Sequence, residues 1–166
     1  AVLAVGGALA GVGSVALPER RDAADGEARP LTVATYNVHQ FLAPDGEYNL
    51  AAVAGVLRET DADIVALQES EGNRLTSGNV DGVRWLADEL GYHADYGAPT
   101  RAARYRVALL SAWPLSDTEV VSLPTHDSPR RLAMRSVVAT PAGDLPVVCT
   151  HFQTQQGGDP DAVAVQ

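Results

Sequence analysis

Residues 62–69 read Ala-Asp-Ile-Val-Ala-Leu-Gln-Glu. From Ile64 to Leu67 the apolar run is unbroken, where a strand with one wet face would alternate. A continuous run of this length predicts a strand buried on both faces. That strand delivers Glu69 at its C-terminal end. A carboxylate there is costly unless it is ionised beside a cation or hydrogen-bonded. A hard divalent ion such as Mg²⁺ takes oxygen ligands, often one or two carboxylates completed by water and phosphate. Taken alone, an acidic residue ending a strand is usually a solvated edge or a helix cap.

Upstream, residues 31–38 (LTVATYNV) are β-branched and aromatic and predict another strand. APDG at 43–46 is a turn. Asn49 is placed to cap a helix over 50–59 that buries Leu50, Val53 and Leu57. Downstream, Asp81 caps a second helix with Val83, Leu86 and Leu90 on its buried side, and Gly91 stops it. Short strands are expected near 92–96, 105–112, 117–123, 131–139 and 145–151. A β-α-β-α opening followed by consecutive strands implies an α/β fold with a mixed sheet. The strands at 31–38, 63–69 and 145–151 are expected to share one sheet. There is no internal repeat.

The chain has 166 residues, 46% of them hydrophobic, enough for one domain with a sizeable core. Its formal charge is -9, and all 12 basic residues are Arg. Such acidity argues against tight, unspecific binding to duplex nucleic acid, whose affinity comes from neutralised phosphates. The single Cys149 excludes an internal disulfide framework. Residues 1–17 carry no charge, so 1–18 are expected to be a transmembrane or signal segment. Residues 19–30 are polar without apolar periodicity and read as a linker, and the folded domain is expected over 31–166. The chain opens without Met and closes on DPDAVAVQ, so it is expected to be part of a longer protein. The expected localisation is membrane-anchored or secreted, on the extracytoplasmic side.

Four segments place polar groups at strand ends. In TYNVH (35–39), strand alternation puts Asn37 and His39 on one face. DIVALQE (63–69) ends in Glu69. In YRVALLSAWPL (105–115), Tyr105 begins a strand, and Arg101, Arg104 and Arg106 gather charge that would steer an anion or simply coat a surface. VVCTHF (147–152) carries His151. A lone His at a strand end is more often a satisfied structural residue than a catalytic one, and an Asn there often bonds loop backbone.

In this order and at these intervals, the four segments together resemble the endonuclease/exonuclease/phosphatase superfamily. TYNVH resembles its first-strand Asn motif, and DIVALQE its metal-ligand Glu motif. YRVALLSAWPL and VVCTHF resemble two later strands. YNVHQF (36–41), SGNVDGVRWLADELGY (77–92) and ALLSAWPL (108–115) are similar to the domain attached to membrane proteins of GPI-anchor lipid remodelling and their prokaryotic relatives. The resemblance implies a four-layer α/β sandwich of the deoxyribonuclease I type, about half of it in this chain, as a monomeric domain.

The resemblance also implies roles. Glu69 and Asn37 would hold Mg²⁺, with Mn²⁺ as an alternative. Asn37, His151 and Arg131 would bind phosphate, the register leaving Arg130 as the alternative to Arg131. Asn37, His151 and Tyr105 would be the catalytic set. His39 sits where some members carry an acidic metal neighbour. Arg106 and Ala112 depart from the family pattern, and its Gly-Asp-x-Asn and Asp-His segments, which supply the base, have no counterpart in these residues. The implied activity is hydrolysis of a phosphodiester when full length, with 1–166 alone inactive. Acidity and the apolar N-terminus favour a lipid or small molecule at a membrane over duplex DNA. A secreted or anchored nuclease is the second reading, and a non-catalytic factor that binds lipid phosphate the third.

Overall fold

The computed structural model describes residues 17–22, 26–70, 80–96, 107–123 and 131–152. Tyr105, Arg101, Arg104, Arg106 and Arg130 lie outside the described residues, as does the apolar segment up to residue 16. No helix among the described residues is long and apolar enough to cross a membrane.

The apolar run at 64–67 forms the strand β2, and its neighbours follow from the same sequence signals. In chain order the elements are β1 (Val33–Asn37), α1 (Leu50–Thr60), β2 (Ile64–Gln68), α2 (Gly82–Leu90), β3 (His93–Tyr96), β4 (Val107–Ser111), β5 (Leu115–Leu123), β6 (Arg131–Thr140) and β7 (Gly143–Thr150). A short turn at His39–Phe41 separates β1 from α1. The Asn49 side chain accepts the Ala52 N–H at 2.9 Å and the Asp81 side chain accepts the Arg84 N–H at 3.0 Å. Both therefore satisfy donors that an α-helix start leaves open. Gly91 ends α2 at φ 68°, a left-handed conformation that glycine adopts without steric cost.

The first sheet has the order β1-β2-β4-β3. β1 runs parallel to β2, in register from Val33↔Ile64 to Asn37↔Gln68. β4 is antiparallel to both β2 and β3, so the sheet is mixed, as expected. Asp63 secures the entry of the parallel pair. Its carboxylate, 3% exposed, accepts the Thr32 N–H at 2.9 Å and pairs with Arg29. The neighbouring polar segment is held from two more points: Arg20 pairs with Asp88 at 2.5 Å, and His93 Nε2 lies 2.9 Å from the Arg21 carbonyl.

One face of this sheet is covered by α1 and α2, through Ala54, Leu57, Leu86 and Ala87 against Val65, Leu67, Ala108 and Leu110. The other face packs on a second, antiparallel sheet of order β5-β6-β7. That core joins Ile64, Val107, Leu109 and Trp113 to Met134, Val138 and Cys149. Helices, mixed sheet and antiparallel sheet form three successive layers of the α/β sandwich.

The strand carrying His151 is thus not in the sheet of β1 and β2, which corrects the expectation of one shared sheet. β7 pairs with β6 as a hairpin from Thr140↔Gly143 to Ala133↔Thr150. Closing so short a loop costs little chain entropy. Among the described residues β7 lies at the edge of this sheet, a position where a strand tolerates a proline such as Pro146. It meets β2 across the layers instead: Cys149 Sγ lies 3.7 Å from the Leu67 carbonyl.

Candidate active site

The parallel register ends β1 and β2 at one level, and two backbone bonds lock the chains that leave them. Val38 N–H donates to the Gln68 carbonyl and Gln40 N–H to the Glu69 carbonyl, each at 3.0 Å. Glu69 itself has φ 53°, and His39, Gln40 and Phe41 have φ 45°, 58° and 63°. A left-handed conformation costs a non-glycine residue roughly 1–2 kcal/mol. Four such residues beside one another persist only where the surroundings over-determine them, as they often do at functional sites. Strand alternation predicts His39 on the face of Asn37. The strand instead stops at Asn37, and the left-handed turn takes His39 off that face.

Within this frame Asn37 uses both ends of its carboxamide. Its Oδ1 accepts the His39 N–H and its Nδ2 donates to Glu69 Oε1, each at 3.0 Å. The backbone donor fixes which end of the amide is oxygen, and the amine then orients the carboxylate. His151, just beyond β7, brings Nε2 to 3.7 Å from the same Oε1, with side chains only 15% (His151) and 20% (Glu69) exposed. On its other side, His151 Nδ1 lies 2.9 Å from Arg131 Nη1 at the start of β6. Burial, and then the Arg131 charge, push the His151 pKa below its ordinary 6.5 against the opposing pull of Glu69. The imidazole is therefore neutral near pH 7, and the Glu69 contact is not an ion pair there.

Asn37, Glu69, His151 and Arg131 thus converge from β1, β2, β7 and β6. Sequence reasoning passed over Gln68, one residue before Glu69. Its Nε2 donates to Thr35 Oγ1 at 3.0 Å and lies 3.9 Å from Cys149 Sγ, so it ties β1, β2 and β7 together beneath the cluster. A carboxamide at the end of a buried apolar run was the available signal. Cys149 itself is inert packing, its thiol pushed up to about 11 by burial.

The donor set fits a hard divalent cation. Glu69 is a partly buried carboxylate with no Arg at ion-pair distance among the described residues. Asn37 turns its amide nitrogen to this carboxylate and its oxygen to the His39 N–H, so here it orients Glu69 rather than adding an oxygen beside it. No group of three or more His, Cys, Asp or Glu gathers among the described residues. A single carboxylate can hold such a cation when water and phosphate oxygens complete its coordination.

Solved structures define the class. An endonuclease/exonuclease/phosphatase from Beutenbergia cavernae DSM 12333 matches with TM-score 0.62 and 27% identity, over 78% of this chain and 39% of that one. TDP2 from C. elegans shares the fold at TM-score 0.58 and 17% identity, over 76% of this chain and 36% of that one. ANGEL2, a 2',3'-cyclic phosphatase solved with adenosine-2',3'-vanadate, does so at TM-score 0.52 and 16% identity, over 74% and 41%. The fold is that of the endonuclease/exonuclease/phosphatase superfamily, deoxyribonuclease I-like, and this chain spans less than half the length of each of these relatives. Within the superfamily, the chain belongs to the family described as the PGAP2IP C-terminal nuclease-like domain, whose model matches residues 28–163.

Proposed function

We propose that this chain carries the carboxylate and phosphate-donor part of a divalent-metal-dependent phosphodiesterase. The observation that supports it most is the chain of contacts Asn37–Glu69–His151–Arg131 at adjoining strand ends. Glu69, oriented by Asn37, would hold Mg²⁺ or Mn²⁺. When bound, such an ion polarises a phosphoryl oxygen and shields the leaving oxygen. His151 offers a neutral N–H to a second phosphoryl oxygen as negative charge builds, in a partly buried place where such a donor counts for more than in water. Tyr105 is proposed as a further phosphate contact.

The substrate class proposed is a lipid or small-molecule phosphodiester at a membrane reached through the N-terminal segment. Two features support it: the formal charge of -9, and a cleft of about 350 Å³ beside Asn37 walled largely by Tyr36, Leu42, Pro44, Val53 and Val56. The nuclease-like description of the family favours a nuclease as the second reading. The test is turnover by the full-length protein with Mg²⁺ on bis(4-nitrophenyl) phosphate, phosphatidylinositol vesicles and duplex DNA. Hydrolysis of the first two but not DNA is expected. DNA cleavage without lipid turnover would select the nuclease. Mg²⁺ binding with no turnover of any of the three would reject catalysis and leave a lipid-phosphate-binding factor.

A further inference from the structure

The Arg131–His151 contact carries more chemistry than a phosphate ligand needs. Arg131 is only 6% exposed, a poor position from which to meet a phosphate arriving from solvent. A guanidinium has donors and no acceptor, and it stays protonated in proteins. Its Nη1, 2.9 Å from His151 Nδ1, must therefore point an N–H at that ring nitrogen. Nδ1 then presents its lone pair, and the single proton of the neutral ring sits on Nε2. The opposite tautomer would set two N–H groups head to head, as would the doubly protonated ring.

Nε2 is the atom that faces Glu69, at 3.7 Å. That separation exceeds an N–H···O hydrogen bond of about 2.7–3.2 Å, so Glu69 does not consume the proton. An oxygen entering beside Glu69 meets an N–H already aimed at it. We propose that Arg131 is a positioning residue that fixes the ring and tautomer of His151, so that Nε2–H is the donor presented to substrate. Its place at the start of β6, next to the end of β7 through the Ala133↔Thr150 pair, makes this contact a product of the hairpin itself. The proposal rests on the phosphodiesterase reading for the use of the donor, but the tautomer is a property of the substrate-free protein.

The experiment uses the full-length protein with Arg131→Met, which removes the donor, and Arg131→Lys, which keeps one. Side-chain ¹⁵N–¹H correlations of His151 are recorded near pH 7 without metal or substrate. Turnover of bis(4-nitrophenyl) phosphate with Mg²⁺ is measured on the same samples. The wild type should carry its proton on Nε2, Arg131→Met should show a mixture of tautomers, and Arg131→Lys should recover most of the wild-type pattern. In Arg131→Met, kcat should fall by at least about tenfold and by no more than the ~10²–10³ that complete loss of an oxyanion donor costs, with KM little changed. In a His151→Ala background the same change should cost nothing further, because Arg131 acts through the ring. A wild-type proton on Nδ1, an unchanged tautomer in Arg131→Met, or a raised KM with kcat kept would overturn the assignment. Failure of the phosphodiesterase reading shows separately, as absent turnover with the spectra as expected.

Discussion

Gly82→Ala tests how the turn beside the site is held. A Cβ on Gly82 would meet Phe41 Cε2 at 2.6 Å, Phe41 Cδ2 at 2.8 Å and Tyr48 Oη at 2.8 Å. Ordinary contact lies near 3.5–4.0 Å, so both rings must retreat by about 1 Å. They are packed edge to face with centroids 5.9 Å apart, and Phe41 is fully buried. Overpacking of this kind costs typically 1–3 kcal/mol. Alanine's helix propensity returns up to about 1 kcal/mol, leaving a net loss of about 1–2 kcal/mol. Phe41 closes the left-handed turn that begins at His39, whose N–H holds Asn37, so turnover should fall as well. Gly55→Ala is the matched control. It lies within α1 with nothing within 4 Å of its Cβ, and should stabilise by up to about 1 kcal/mol. Urea unfolding of the two variants reads both effects as shifts in midpoint. A Gly82→Ala protein as stable as the control would refute the steric account.

Other substitutions probe the frame. Asp63→Ala removes the carboxylate that holds Thr32 and Arg29. A hydrogen bond to a charged group contributes roughly 1.5–3 kcal/mol, and the half-exposed Arg29 adds about 0–1, so a loss of about 1.5–4 kcal/mol in chemical denaturation is expected. His151 gives a pH signature. Its folded pKa lies below 6.5, so the unfolded chain takes up the proton first as pH falls. The stability it contributes is whole above 6.5 and is lost as pH drops through the lower folded value. Melting temperatures of the metal-free protein should therefore fall more steeply below pH 6.5 than those of His151→Gln, and parallel curves would contradict this. Cys149, buried with its thiol raised to about 11, should resist iodoacetamide at pH 8 in the native protein and react once it is unfolded.

Much of the fold was legible because its signals are local. The unbroken run before Glu69, the caps at Asn49 and Asp81 and the stop at Gly91 each depend on a few adjacent residues, and each is where it was expected. The assignment of β7 to a second sheet was not legible. Val147 and Cys149 alternate as any half-buried strand does, and nothing local says which layer they face. The turn at His39–Phe41 was illegible for a different reason. It holds three positive φ angles without a Gly or Asn to announce them, because bonds to β2 rather than intrinsic preference hold it. The candidate site shows the same division. The family resemblance singled out Asn37, Glu69 and His151, and left Arg131 and Arg130 as alternatives. That Arg131 bonds the His151 ring depends on a tertiary contact between strand ends 20 residues apart.

The role of Glu69 as a cation ligand is tested most directly by the Mg²⁺ dependence of phosphodiester turnover in the full-length protein and its Glu69→Gln variant, read with the melting temperature of each. Gln keeps the size of Glu69 and an acceptor for Asn37 while removing the charge that holds the cation. The expected result is a folded variant whose rate falls by about 10²–10³ or more, partly recovered by excess Mg²⁺. A variant with normal turnover at low Mg²⁺ would contradict it and make Glu69 a structural carboxylate at the end of β2.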